Sequence, residues 1–163
     1  MSSILKQKGV TFIELMIAVV IIGVIAALTI GQFDRFIQRQ RLKAEGRDLI
    51  SNLRLARSYA VARNDQYGVY FDASNKQYVL FKDLENLSSY TYDSGDSVIK
   101  TKPLSDIFSL SLSFPSNVVV YLPNGSASSS GQVYLYNTQI SKYLTADVLG
   151  STGRVRLTEG YGG

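Results

Sequence analysis

Gly9-Val10-Thr11-Phe12-Ile13-Glu14-Leu15-Met16 opens an apolar run that continues to Ile30 and holds one carboxylate, Glu14, with no further charge before Asp34. The twenty-one residues from Val10 to Ile30, rising about 1.5 Å each as a helix, reach about 30 Å, the thickness of a bilayer's hydrocarbon core. The stretch is therefore expected to span a membrane. A carboxylate near one end of such a helix costs about 3 kcal/mol on insertion scales, so Glu14 calls for a partner or a function. The plainer reading is an interfacial carboxylate that snorkels toward lipid headgroups.

Ahead of this run, Ser2 to Gly9 is polar and carries Lys6 and Lys8, as expected of a segment left on the cytoplasmic side. A secretory signal is the obvious rival, but the run exceeds the usual 7–15 apolar residues and no small-x-small cleavage site follows it. On the other side, Leu42, Gly46, Leu49, Ile50, Leu53, Ala56 and Ala60 recur at steps of three and four, an amphipathic stripe that predicts one long helix from about Val10 to Arg63. Gly31 is a point where that helix loosens, and Asn64-Asp65 ends it.

Beyond Asn64 the period changes to two. Gln66 to Phe71 and Gln77 to Phe81 flank the turn residues Asp72-Ala73-Ser74-Asn75 and predict a hairpin. Val118–Leu122 and Gln132–Tyr136 are expected to pair across Pro123 to Gly131. Lys142–Leu149 and Arg154–Leu157 form a closing hairpin around Gly150 to Gly153. Residues 83–113 are polar and Ser-rich, and are expected to form a long loop with one strand near Phe108–Leu112. The eleven tyrosines are assigned to sheet faces and core edges.

Composition narrows the functions. With no Cys and no His, the chain has no thiol or imidazole metal ligands, no disulfide and no His-dependent catalytic triad. No acid, base and nucleophile constellation stands out and no Gly-rich phosphate loop is present, so neither an enzyme nor a cofactor is expected. The net charge of +4 is concentrated: residues 31–63 carry eight basic side chains against three acidic ones, whereas the part from Asn64 onward is net −2. That distribution does not describe a general nucleic-acid-binding surface.

The segment Lys8-Gly9-Val10-Thr11-Phe12-Ile13-Glu14-Leu15-Met16 resembles the prepilin signature shared by type IV pilins and type II secretion pseudopilins. The resemblance implies cleavage after Gly9 by a prepilin peptidase, N-methylation of Val10, and a role in assembly for Glu14, five residues into the mature chain. The freed amine, with an ordinary pKa near 8, would be charged at neutral pH and able to neutralise a neighbouring subunit's Glu14. Such a heterologous contact propagates into a filament. Val10 stands where the family usually has Phe, and Gly31 where major pilins often have Pro.

The rest of the chain resembles the GspH/FimT group of minor pilins and pseudopilins through three patches. These are Asp48 to Ala60, Tyr121 to Ala127, and Gly153-Arg154-Val155-Arg156. The implied fold is α+β, a long N-terminal helix packed on an antiparallel β-sandwich-like domain. The implied parts are a leader (1–9), a transmembrane and assembly helix (10–30), its amphipathic continuation (31–63) and a globular β domain (64–163). The implied partners are other pilin or pseudopilin subunits, the prepilin peptidase, an inner-membrane assembly platform with its ATPase, and membrane lipid. The implied location is the bacterial inner membrane, single-pass, with the globular domain outside the cytoplasm until assembly.

An alternative reading is DNA binding in a competence pilus, since some members of the group are thought to use a Gly-Arg-x-Arg motif. Arg154 and Arg156 would project from one face of a strand, with Lys142 joining them across the hairpin. The plainer reading is an edge strand with one wet face. The arginines of 35–63 invite the same idea, with membrane headgroups as a second possibility; their plainer reading is a solvated helix face or subunit contacts in a filament. In the first and second patches, helix packing and turn chemistry suffice.

Overall fold

The computed structural model describes residues 10–161, with residues 28–32 and 161 described by their backbone only. One helix, α1, runs Phe12–Arg63, continuing through Gly31. Asn64, with φ 54°, closes it in the left-handed conformation common just after a helix. The leader and the cleavage site at Gly9 lie outside the described residues. Two compact units meet between Ile37 and Gln38.

In the first unit, every described side chain from Val10 to Ala27 is exposed, as are Phe33 and Phe36. Among the described residues no helix is long and apolar enough to cross a membrane. The described side chains of the apolar run stop at Ala27, so its helical part from Phe12 measures about 24 Å at 1.5 Å per residue, short of the ~30 Å core. The expected span over 10–30 includes side chains that are not described.

The second unit is built on the predicted stripe. Leu42, Leu49, Ile50, Leu53, Ala56 and Ala60 are all buried, and they meet one face of each of two antiparallel sheets. The strands are β1 (Tyr67–Asp72), β2 (Gln77–Lys82), β3 (Ser97–Pro103), β4 (Phe108–Leu112), β5 (Val118–Tyr121), β6 (Gly131–Asn137), β7 (Lys142–Leu149) and β8 (Arg154–Tyr161). The first sheet has the order β3-β2-β1-β5 and the second β4-β6-β7-β8. Tyr67, Val69, Phe71, Leu80 and Val119 of the first sheet share the core with Val133, Leu135, Leu144, Ala146 and Val148 of the second. The expected α+β architecture of helix and β-sandwich-like domain is present.

Three expectations need correction. Val118–Leu122 and Gln132–Tyr136 do not pair: β5 lies beside β1 in the first sheet, while β6 lies between β4 and β7 in the second. The physical reason is burial, since all four residues of β5 are buried whereas β6 alternates, so the two fit different environments. Residues 83–113 hold a second strand, β3, in addition to β4. As an edge strand with mostly exposed side chains, β3 shows no alternation to detect. Tyr67, Tyr78 and Tyr121 lie in the core itself rather than at its edges.

The segment after β2 also has structural work. Tyr92 stacks on Tyr70 with ring centroids 5.0 Å apart and meets Phe81 at 4.9 Å. With Tyr90 it covers Val79, Phe81, Val118 and Val120 on the outer face of the first sheet. That second small core explains why β1 and β2 are buried on both faces.

Candidate functional site

The first candidate is the start of α1. Thr11 precedes the helix, and its Oγ1 accepts a hydrogen bond from the Glu14 backbone N–H at 3.3 Å, which is half of a Ser/Thr-x-x-Glu capping box. This role was legible in Thr11-Phe12-Ile13-Glu14, and the membrane reading passed over it. The bond uses the main chain of Glu14. Among the described residues the carboxylate itself forms no ion pair, and apolar neighbours such as Ile13, Leu15 and Ile17 surround it in the sequence, all exposed.

The second candidate is the closing hairpin. Arg154 pairs with Leu149 and Arg156 with Asp147 in the β7–β8 ladder, and both arginines are exposed while Val155 between them is buried. They share the outer face, as the alternation predicts. Lys142 does not join them. It pairs with Tyr161 at the far end of the ladder and has the same parity along β7 as buried Leu144, Ala146 and Val148, which places it on the face turned toward the core. Arg154 and Arg156 instead border an open groove of about 700 Å³ with Ser113, Ser130, Gln132 and Asp147. Asp147 lies directly across from Arg156 and accepts a hydrogen bond from Gln132 Nε2.

The three sequence patches meet at one place. Arg57 of α1 donates from Nε to the Gly125 carbonyl at 2.9 Å. Gly125 (φ 81°) and Gly153 (φ 61°) are both left-handed and buried, and a Cβ on Gly153 would lie 2.2 Å from the Gly125 oxygen and 3.1 Å from Arg57 Nε. Helix, β5–β6 loop and β7–β8 turn are therefore clamped by one guanidinium and two glycines. Gly153 of the Gly-Arg-x-Arg segment serves this junction. No local signal joins residues 57, 125 and 153.

Charged groups elsewhere serve the scaffold. Lys102 of β3 holds Asp48 at 2.9 Å and Glu45 at 3.7 Å; its hydrogen bond pulls the Asp48 carboxyl below the usual range, while burial pushes that of Glu45 up. Asn52, buried in the same helix, donates to Tyr78 Oη at 3.0 Å and accepts from Lys100 Nζ at 3.1 Å. Burial raises the Tyr78 phenol. Asp83, 2% exposed, has both carboxylate oxygens without a hydrogen-bond partner among the described residues. Burial, with Asp96 and Asp93 nearby, pushes it up to about 6. Among the described residues no group of three acidic side chains is disposed to hold a metal.

The sequence profile of the family described as type II transport protein GspH matches residues 45–157, and that of the prokaryotic N-terminal methylation motif matches residues 4–30. The fold is similar to the minor pseudopilin EpsH of the type 2 secretion system of Vibrio cholerae, at 14% identity, covering 72% of this chain and 96% of that one, with a TM-score of 0.58. It is also similar to the type IV minor pilin FimU of Pseudomonas aeruginosa, at 14% identity, covering 76% of this chain and 92% of that one, with a TM-score of 0.59. At this identity the likeness is one of fold. No curated protein sequence matches the chain.

Proposed function

This chain belongs to the GspH family of type II transport proteins, and on that premise we propose that it is a minor pilin or pseudopilin subunit whose Glu14 sets register in a filament. In this reading it is inserted in the inner membrane as a single-pass protein, cleaved after Gly9 by a prepilin peptidase and N-methylated at Val10. It then passes through an assembly platform, driven by that system's ATPase, into or onto the tip of a type II secretion pseudopilus or type IV pilus. Its role is structural.

The observation that carries the proposal is a carboxylate that has no ion-pair partner among the described residues, on an apolar helical run whose described side chains are exposed. Twelve large apolar side chains between Val10 and Ile25 are exposed. At about 2 kcal/mol each, covering them is worth on the order of 20 kcal/mol, against about 3 kcal/mol for taking Glu14 along. Lipid and neighbouring helices satisfy the apolar residues equally well. Lipid meets Glu14 by letting it snorkel toward headgroups, whereas a neighbouring subunit's freed amine pairs with its charge directly.

Two substitutions test this. Glu14→Leu removes the carboxylate, and Glu14→Gln keeps its shape and hydrogen-bonding capacity without the charge. Both are expected to reach the membrane and be processed, as read by mass spectrometry of a methylated Val10, yet to enter sheared filaments poorly. Normal incorporation of Glu14→Gln would refute the charge pairing.

A second reading, a DNA-binding minor pilin of a competence pilus, is favoured by the exposed Arg154 and Arg156 on one face beside the groove. Asp147 opposite Arg156 and Lys142 on the other face leave two phosphate contacts, so binding would be weak and steeply salt-dependent. A gel shift comparing the parent with Arg154→Ala/Arg156→Ala across a salt series decides it. Equal binding by both proteins removes these arginines.

A further inference from the structure

Within the second unit, α1 meets an edge strand on each flank. Lys102 and Lys100 of β3 reach Asp48 and Asn52 on one side. On the other, Arg47, Ile50, Ser51 and Arg54 form an open cleft of about 360 Å³ with Leu157 of β8. Ile50 is buried and Leu157 half-buried, so the floor is aliphatic, while Arg47, Ser51 and Arg54 stand exposed on the rim. The two arginines are two helical turns apart, or about 10 Å along the axis. Among the described residues neither forms an ion pair. An apolar floor between two such guanidiniums fits aliphatic side chains that arrive together with a carboxylate.

The same chain carries such a group. Residues 83–96, between β2 and β3, hold four carboxylates and no basic side chain. Buried Asp96 accepts hydrogen bonds from the Leu84 and Glu85 N–H groups at 2.9 and 3.3 Å, and the loop so held leaves Leu84 51% and Leu87 48% exposed. Glu85 between them is exposed and in no ion pair among the described residues. Because the loop leads into β3, on the flank of α1 away from the cleft, the two surfaces complement each other between copies rather than within one. We propose that the cleft receives the 84–87 loop of a second copy of this chain, the leucines resting on Ile50 and Leu157 and Glu85 lying between Arg47 and Arg54. Complementary charge selects this occupant, and a loop already fixed by Asp96 loses little freedom on docking. The two patches differ, so the contact is heterologous and propagates from copy to copy. It takes its setting from the filament reading above and adds to Glu14 a contact between globular domains.

The chain has no Cys, so introduced cysteines report the contact directly, linking only where Cα atoms approach within about 7 Å. Two full-length copies with different tags are co-expressed, one with Ser51→Cys in the cleft and the other with Asn86→Cys in the loop, and their membranes are oxidised with copper phenanthroline. A disulfide-linked heterodimer is expected. Pairing Ser51→Cys with Ser74→Cys, a turn position outside the loop, should give at least about tenfold less. Arg54→Glu in the first copy sets like charge against Glu85 and should lower the yield by at least about tenfold, and Glu85→Arg in the second copy should restore it. All five positions are exposed, so the changes leave the core untouched. Equal linkage with Ser74→Cys, no linkage at all, or a yield indifferent to Arg54→Glu overturns the contact. Immunoblots of sheared filaments run in parallel separate this contact from the filament reading. Chains present in filaments without the disulfide overturn the contact alone, whereas the disulfide in chains that never enter filaments upholds the contact and overturns its setting.

Discussion

Asp83 offers a stability change that runs against the usual direction for a carboxylate. Its side chain is 2% exposed, neither oxygen has a hydrogen-bond partner among the described residues, and its pKa is pushed up to about 6 by burial and by Asp96 and Asp93. In the unfolded chain an aspartate titrates near 3.9. Below pH ~4 both states are protonated and no electrostatic penalty exists. Between about 4 and 6 the folded state keeps a proton that the unfolded state has lost, so stability falls as pH rises. Above about 6 both are ionised and the penalty levels off near two pKa units, or about 3 kcal/mol. Asp83→Asn removes the charge but leaves an orphaned amide, which costs about 1–3 kcal/mol at every pH. The double difference cancels that cost. Urea unfolding of residues 38–163, which contain the whole core, followed by circular dichroism at pH 4, 5, 6 and 7.5, should show the variant gaining about 3 kcal/mol relative to the parent between the two ends. Parallel stability curves for the two proteins would refute the argument.

Gly153→Ala forces a Cβ to within 2.2 Å of the Gly125 oxygen from a left-handed backbone, and is expected to cost at least about 2 kcal/mol in thermal unfolding. Arg57→Ala, losing the 2.9 Å bond to the same carbonyl, should cost about 1–3 kcal/mol, and the double variant less than the sum if one junction is being broken twice. Leu53→Ala, at the fully buried centre of the helix stripe, should cost about 2–5 kcal/mol. A loss under 1 kcal/mol by urea titration would mean that the helix does not carry the core.

What was legible in the chain was what repeats locally. The helix stripe, the β1–β2 hairpin and the β7–β8 hairpin each declare themselves within about twenty residues, because one buried face imposes a period of 3.6 or 2. Long-range features carry no such period. The partner of β5 depends on burial of both its faces, and the second of those faces is covered by Tyr90 and Tyr92 from a segment that looked like a loop. Edge strand β3 has little to bury and so no pattern. The Arg57–Gly125–Gly153 junction joins three turns of chain through one side chain and two backbone conformations. Lys142 shows the reverse, since membership of the same hairpin suggested that it joins Arg154 and Arg156, whereas the ladder places it at the far end and on the other face.

The start of α1 shows how a local and a distant role can occupy the same residue without competing. The cap from Thr11 Oγ1 to the Glu14 N–H is worth about 1 kcal/mol, yet any residue with a backbone N–H at that position receives it. The capping bond therefore gives no reason for a carboxylate. A full capping box would add the return bond from the Glu14 side chain to the Thr11 N–H, and glutamine makes that bond as well as glutamate. Glu14 lies in the first turn, where the helix dipole favours a carboxylate by about 0.3–1 kcal/mol, which offsets only part of the about 3 kcal/mol its charge costs in an apolar surrounding. In the proposed filament the remainder is offset by a cation at the N-terminus of a neighbouring copy or related subunit. On this account the cap orients the first turn, and the charge selects the neighbour.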